Sequence, residues 1–245
     1  MSTPSSRGDY FGQTPVTRNQ IQVARQWPAT AQFLAVLLAG YFLPIQSANA
    51  HPHVLIKAEA ELLFNETHQI VGVTNVWHFD EAFSAFAIQG YDSKNSGAPT
   101  SDDLQPLAKL NMDSLAEYKY FTAIKVDGHP AAFGKPQQFS NKFSNEVLTL
   151  RFTLPTTSPI DLQGKTAEIL VYDPEYFAAI SFVDHQPVKL RGLPANCTSV
   201  IHRPDIVDAA TASRLAAIPA SERTLPPELF AITDKLTNEV IVKCP

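Results

Sequence analysis

Several things are scarce in this chain, and each scarcity removes a class of function. Among its 245 residues only two are cysteines, Cys197 and Cys244, and no Cys-x-x-Cys spacing surrounds them, so a thiolate metal site has poor support. No basic patch exists to neutralise phosphates, and the net charge is −5, which argues against nucleic acid. There is no Gly-x-Ser-x-Gly elbow, no His-Glu-x-x-His helix and no phosphate-cradling glycine loop, so hydrolytic chemistry finds little footing. Long hydrophobic runs are also missing. The one apolar stretch, Ala31 to about Ile45, has Pro44 near its end and is short against the roughly 20 residues of a membrane span. Neither an internal repeat nor a long low-complexity run interrupts the chain.

What is present begins at that apolar stretch. Arg7, Arg18 and Arg25 precede it, and Ala48-Asn49-Ala50 follows it with small residues at the last and third-last positions. That is the three-part pattern of a secretory leader, here residues 1–50, with the cut falling before His51. Cleavage would remove those three arginines and Asp9, so that of 19 basic and 24 acidic residues 16 and 23 remain, a net charge of −7. The expected product is an exported, periplasmic protein of one domain, residues 51–245, with no stable membrane insertion after cleavage and no nucleic-acid partner. In an oxidising compartment, two cysteines are most simply one disulfide, tying the strand around Glu239–Lys243 to the segment after Gly192.

Residue patterning predicts a mainly β protein of the α+β class: an antiparallel, sandwich-like domain with an inserted helix and short C-terminal helices. Val54, Ile56, Ala58, Ala60 and Leu62 share one face of a first strand, His53–Phe64. Asn65–His68 turns into a second strand, Gln69–Phe79, with Val71, Val73, Trp77 and Phe79 on one face and Thr74, Val76, His78 and Asp80 on the other. A helical turn is expected at Glu81–Phe86, and a helix at Leu107–Tyr120 capped near Asn111 or Asp113. Later strands are expected near 121–126, 137–144, 146–154, 166–172, 177–183 and 197–202, with Asp127-Gly128 as a hairpin turn. Short helices fit 205–217 and 227–236.

Three clusters carry possible chemistry. His51-Pro52-His53 would present a free amine and two imidazoles, donors suited to zinc, copper or nickel. Pro52 has no amide hydrogen to lose, so the square-planar mode that uses intervening amides is closed. Alternate residues of an extended segment point the same way, which lets both rings reach one ion. The second cluster, Trp77-His78-Phe79-Asp80-Glu81, offers His78, Asp80 and Glu81, and a hairpin register could bring them beside His51 and His53. Its plainer reading makes Asp80 a helix cap. In the third, Asp173-Pro174-Glu175-Tyr176-Phe177, Asp173 is either a ligand or the first residue of a turn.

The ordered set of motifs resembles a family of exported bacterial proteins known as the periplasmic component of an uncharacterised ABC-type transport system. The matching residues are His-Pro-His-Val at 51–54, Trp-x-Phe-Asp-Glu at 77–81, Tyr-Phe-Thr at 120–122 before Val-Asp-Gly at 126–128, Arg-Phe-Thr-Leu-Pro at 151–155, Tyr-Asp-Pro-Glu-Tyr-Phe at 172–177, and a cysteine followed by Arg203-Pro204. The resemblance implies a ZevA-like partner of an inner-membrane permease of the nickel/cobalt type. It departs in lacking the histidine-rich stretch of some zinc-linked members. The function expected is a non-enzymatic periplasmic metal-binding accessory, with zinc first and nickel or cobalt next. The alternatives are a docking module that binds no metal, and a copper-dependent oxidase built on a terminal histidine.

Overall fold

The computed structural model describes residues 52–91, 98–204, 207–218, 225–227, 229 and 234–245. All of them fall in one compact unit, Ser47–Pro245. The expected leader and His51 lie outside the described residues. Two β-sheets share a single hydrophobic core. The first sheet has the order β5-β6-β2-β1-β8, with β9 also beside β1, and the second has the order β10-β11-β7-β3-β4. In chain order these strands are β1 Val54–Phe64, β2 Ile70–Phe79, β3 Thr122–Val126, β4 His129–Ala131, β5 Gln137–Ser144 and β6 Val147–Ile160. They continue with β7 Thr166–Val171, β8 Ala178–Phe182, β9 Val188–Lys189, β10 Thr198–His202 and β11 Asn238–Lys243.

β1 forms because its apolar residues alternate: Val54, Ile56, Ala58, Ala60 and Leu62 are all buried. Asn65 closes the hairpin to β2 through a carboxamide oxygen that accepts from the amides of Thr67 and Gln69. The β1–β2 register places Ile56 opposite Phe79 and Lys57 opposite His78. One departure from the expected pattern lies at Val71. The pairing passes from Leu63–Gly72 to Phe64–Ile70, so Val71 is a bulge residue, and Ile70 takes the core position in its place. Gly72 follows because β6 comes close there: a Cβ would stand 2.8 Å from the Leu154 carbonyl oxygen.

The sheets are not wholly antiparallel. β8 and β9 both run parallel to β1, with Val54 opposite Ala178 and Ala60 opposite Val188. Helix α1, Glu81–Ala87, starts directly after β2, and its buried Ser84 hydroxyl accepts the Leu148 amide of β6 at 2.9 Å. Helix α2 spans Gln105–Leu115, two residues earlier than expected at its start. It begins after Leu104 with proline in its first turn and no side-chain cap, so Asn111 and Asp113 lie inside it. Beyond Leu115 the chain tightens into a 3₁₀ segment, Ala116–Phe121, in which Lys119, Tyr120 and Phe121 have φ of 52°, 56° and 47°.

At the C-terminal end, α3 (Ala209–Ala216) is capped by the Asp208 carboxylate. Leu215, Ile218, Leu225 and Leu229 form a second small apolar cluster that packs against Tyr176 and Val207. Cys197 and Cys244 form the expected disulfide, at the end of the β10–β11 pair where Thr198 opposes Lys243.

Candidate functional site

The three sequence clusters converge on one end of the first sheet, although not as a single ligand set. The loop from Asp173 to Phe177 is built by its first residue. Asp173 Oδ1 accepts the Glu175 amide at 2.9 Å, and Oδ2 accepts the Ala178 amide at 2.8 Å. This is the turn role open to an aspartate at that position. Asp173 is only 5% exposed, and burial holds its pKa above the ordinary aspartate value despite the amide donors of Ala178, Glu175 and Phe177. The loop then hands the chain to β8, and the parallel pairing of β8 with β1 extends one residue outward. There the His53 amide donates to the Phe177 carbonyl at 2.8 Å, and the His53 ring stacks on Phe177 with centroids 4.3 Å apart.

Asp80 joins the start of β1 to the start of α1. Its Oδ1 accepts the Phe83 amide, capping α1, and its Oδ2 accepts the Leu55 amide, both at 2.9 Å. Glu81 is exposed in the first turn of α1, at the positive end of the helix dipole. His78 belongs to a different neighbourhood. Its Nδ1 lies 3.0 Å from Thr149 Oγ1, and its Nε2 lies 3.2 Å from Glu59 Oε1. Lys189 Nζ reaches the other Glu59 oxygen at 3.4 Å. Partial burial raises the Glu59 pKa, but the hydrogen bonds from His78 and Lys189 outweigh it and leave the carboxyl below its usual value.

The register explains this separation. His78 stands opposite Lys57, four residues along β1 from His53, a distance of about 13 Å in an extended strand. The expected neighbourhood therefore divides into His53 with Phe177, Asp173 with the amides of its own loop, Asp80 with Leu55, and His78 with Glu59. Among the described residues, no group of three or more His, Cys, Asp or Glu side chains is placed to hold a metal ion.

Two concavities flank this end of the sheet. A cavity of about 350 Å³ lies under the inner face, covered by the C-terminal half of α2, the 3₁₀ segment and the 173–177 loop. Its walls are mostly aromatic and aliphatic, with Asp173, Glu175, Asn111 and Ser114 as the polar exceptions. A second groove of about 650 Å³ is lined by Lys57, His78, Asp80, Tyr176, Asp184 and Arg203, among others. Arg203 is already engaged there: Nη2 donates to the carbonyls of Val183 and Asp184 at 3.0 and 2.9 Å, which fastens the chain beyond β8.

A family model matches residues 35–244, nearly the whole chain and all three clusters, under the description "Protein of unknown function (DUF1007)". The chain belongs to that family. An uncharacterized protein of Haemophilus influenzae is 24% identical over 214 residues, covering 85% of this chain and 97% of that protein. An uncharacterized 15.5 kDa protein in the trpE 3' region of Spirochaeta aurantia is 25% identical over 104 residues, 42% of this chain and 74% of that protein. In this family member the sequence reading missed Asn111, Ser114 and Glu175 as cavity residues and placed Trp77 only on a core face. The signal available was the position of Trp77 and Glu175 inside two of the clusters. Nothing local marks Asn111 or Ser114, because the approach of α2 to the sheet is a tertiary event.

Proposed function

We propose that this protein is a periplasmic accessory for a divalent transition metal, which it binds and passes to or from an inner-membrane permease of the nickel/cobalt type without catalysis. Zinc is the first candidate and nickel or cobalt the next; copper is favoured by affinity order alone, so supply and geometry must decide among them. One observation carries the reading: the His53 amide and ring are both engaged by Phe177, which lays the histidine-bearing segment along the loop that holds Asp173 and Glu175. Nitrogen donors from one cluster and carboxylates from another thus share one end of the sheet. His53 with these acids is not a three-ligand group, so the site depends on His51, whose amine and ring would follow from cleavage at Ala50. The Asp173 carboxylate accepts the Glu175, Ala178 and Phe177 amides, three of its four lone-pair sites, which leaves one for a cation.

The test is native mass spectrometry of protein exported to the periplasm, compared with the His51→Ala/His53→Ala double variant. The expected result is a chain beginning at His51 with one equivalent of metal, and a double variant with none. Equal metal content in both would remove the terminal site from consideration.

A further inference from the structure

We propose that β10 is a docking edge for a second copy of this chain, the two β10 strands pairing antiparallel about a two-fold axis at Val200. The proposal is independent of the metal reading and starts from how each sheet ends. An edge strand carries a row of unpaired amides and carbonyls, which proteins commonly blunt or cover. Among the described residues the two sheets end at β5, β8, β4 and β10, and the first three are treated in that way. β4 is three residues long with Pro130 at its centre. β5 is broken by a register shift between Gln137 and Ser140, carries Lys142, and has its Phe139 carbonyl reached by the Gln105 carboxamide at 3.5 Å. On β8 the Ala178 amide goes to Asp173, while the Asn238 carboxamide accepts the Phe182 amide and donates to the Ile180 carbonyl. β9, also beside β1, has only two residues. β10 has none of these devices.

β10 runs over five residues, Thr198–His202, without proline, lysine or a break in its register with β11. Its side away from β11 has no strand partner among the described residues. Four of the five residues are exposed, Val200 to 51%. The strand is also held ready: the Cys197–Cys244 disulfide precedes it, and directly after it Arg203 donates to the Val183 and Asp184 carbonyls. A strand pinned at both ends loses little freedom on pairing. The side chains select the occupant. With Val200 opposite Val200 of the second copy, Ser199 faces Ile201 and Thr198 faces His202, so no like charges meet. The β10–β11 register extends these rows on the face turned from the core: Ile241 flanks Val200, Lys243 flanks Thr198 and Glu239 flanks His202. The middle row becomes an apolar strip, Ile241 and Val200 of one copy followed by Val200 and Ile241 of the other. Each outer row ends in Lys243 of one copy and Glu239 of the other, charges of opposite sign. That symmetric order is what a two-fold interface requires.

The experiment is sedimentation velocity on protein exported to the periplasm, over the micromolar to millimolar range and with a chelator present, so that a bridging metal plays no part. The expected result is a reversible monomer–dimer equilibrium. Val200→Lys and Val200→Glu each set like charges against one another at the two-fold axis. Each should weaken dimerisation at least about tenfold with an unchanged circular dichroism spectrum. An equimolar mixture of the two variants should restore it, because lysine then meets glutamate. Val200→Cys should form a disulfide between copies through residue 200, since directly opposed Cα atoms of an antiparallel pair lie about 4.5–5.5 Å apart. That cross-link is the deciding measurement if the charged variants fail to fold. A wild-type protein that stays monomeric throughout the range would overturn the proposal and leave the edge to a strand of a different protein. Undiminished dimerisation in the folded charged variants, a mixture no tighter than either variant alone, or a Val200→Cys chain without the cross-link would each overturn it as well.

Discussion

Replacing Asn238 with leucine should strongly destabilise the protein, because one carboxamide stitches the two sheets together. Asn238 is the first residue of β11 and is fully buried. Its Oδ1 accepts the Phe182 amide at 2.7 Å, and its Nδ2 donates to the carbonyls of Val171 and Ile180 at 3.0 and 2.9 Å. Phe182 and Ile180 belong to β8 of the first sheet, and Val171 to β7 of the second. Leucine has the same branched arrangement of side-chain heavy atoms, so no cavity opens and the main loss is one of hydrogen bonding. An orphaned buried N–H costs about 1–3 kcal/mol, and two carbonyls left with fewer partners cost less each, for a total of about 2–5 kcal/mol. Against a typical total of about 5–15 kcal/mol that is a large fraction. With a urea slope near 2 kcal/mol/M, the unfolding midpoint should fall by about 1–2.5 M. Asn238→Asp separates hydrogen bonding from packing. It keeps the acceptor for Phe182 but sets a carboxylate oxygen against two carbonyls, so it should be less stable than the leucine variant at neutral pH. It should recover in part as the pH falls and the carboxyl takes up a proton that it can donate. A leucine variant whose midpoint drops by less than about 0.5 M at unchanged slope would refute this account of the sheet–sheet link.

Two further outcomes follow from the same reasoning. The Cys197–Cys244 bond closes a separation of 47 residues, worth about 4 kcal/mol of unfolded-state entropy, so Cys197→Ala with Cys244→Ala should lower the urea midpoint by about 2 M; a fall below about 0.5 M would sink that estimate. Burial raises the Asp173 pKa above its ordinary 3.8, so the folded state holds that proton more tightly than the unfolded chain. Its contribution should therefore favour folding at low pH and fade as the pH rises from 3.8 through the raised value, and Asp173→Asn should remove that part of the pH dependence. Chemical denaturation at a series of pH values checks this, and parallel profiles for wild type and variant would contradict it.

Legibility differed by element. The alternation from Val54 to Leu62 was enough to define a strand and its buried face, and Asp127-Gly128 marked the hairpin between β3 and β4. The bulge at Val71 was not readable, since nothing in the local pattern says that Ile70 and not Val71 will meet the core. The start of α2 was misplaced because the helix opens on proline without a side-chain cap, while Asn111 and Asp113 imitate caps inside it. Ala178-Ala179-Ile180-Ser181-Phe182 announces a strand, but its parallel seat beside β1 depends on a partner more than a hundred residues earlier.

The same division runs through the site. The amino-acid sequence determined by itself which residues could do chemistry: a histidine pair flanking Pro52, an acidic strand end at Asp80 and a turn-forming Asp173 are local facts of side-chain chemistry and short-range backbone geometry. It also determined the β-rich class, through period-two burial, and the economy of a single cysteine pair. Tertiary structure alone decided who meets whom. The β1–β2 register set His78 opposite Lys57 and beside Glu59, away from His53, and parallel pairing with β8 brought His53 to Phe177 and the Asp173 loop. It also decided that Trp77 would line a cavity, because a helix from elsewhere in the chain came to cover that face. The physical reason is range: side-chain alternation and turn chemistry act over a few residues, whereas register, burial and cavities are settled by contacts between segments far apart in the chain.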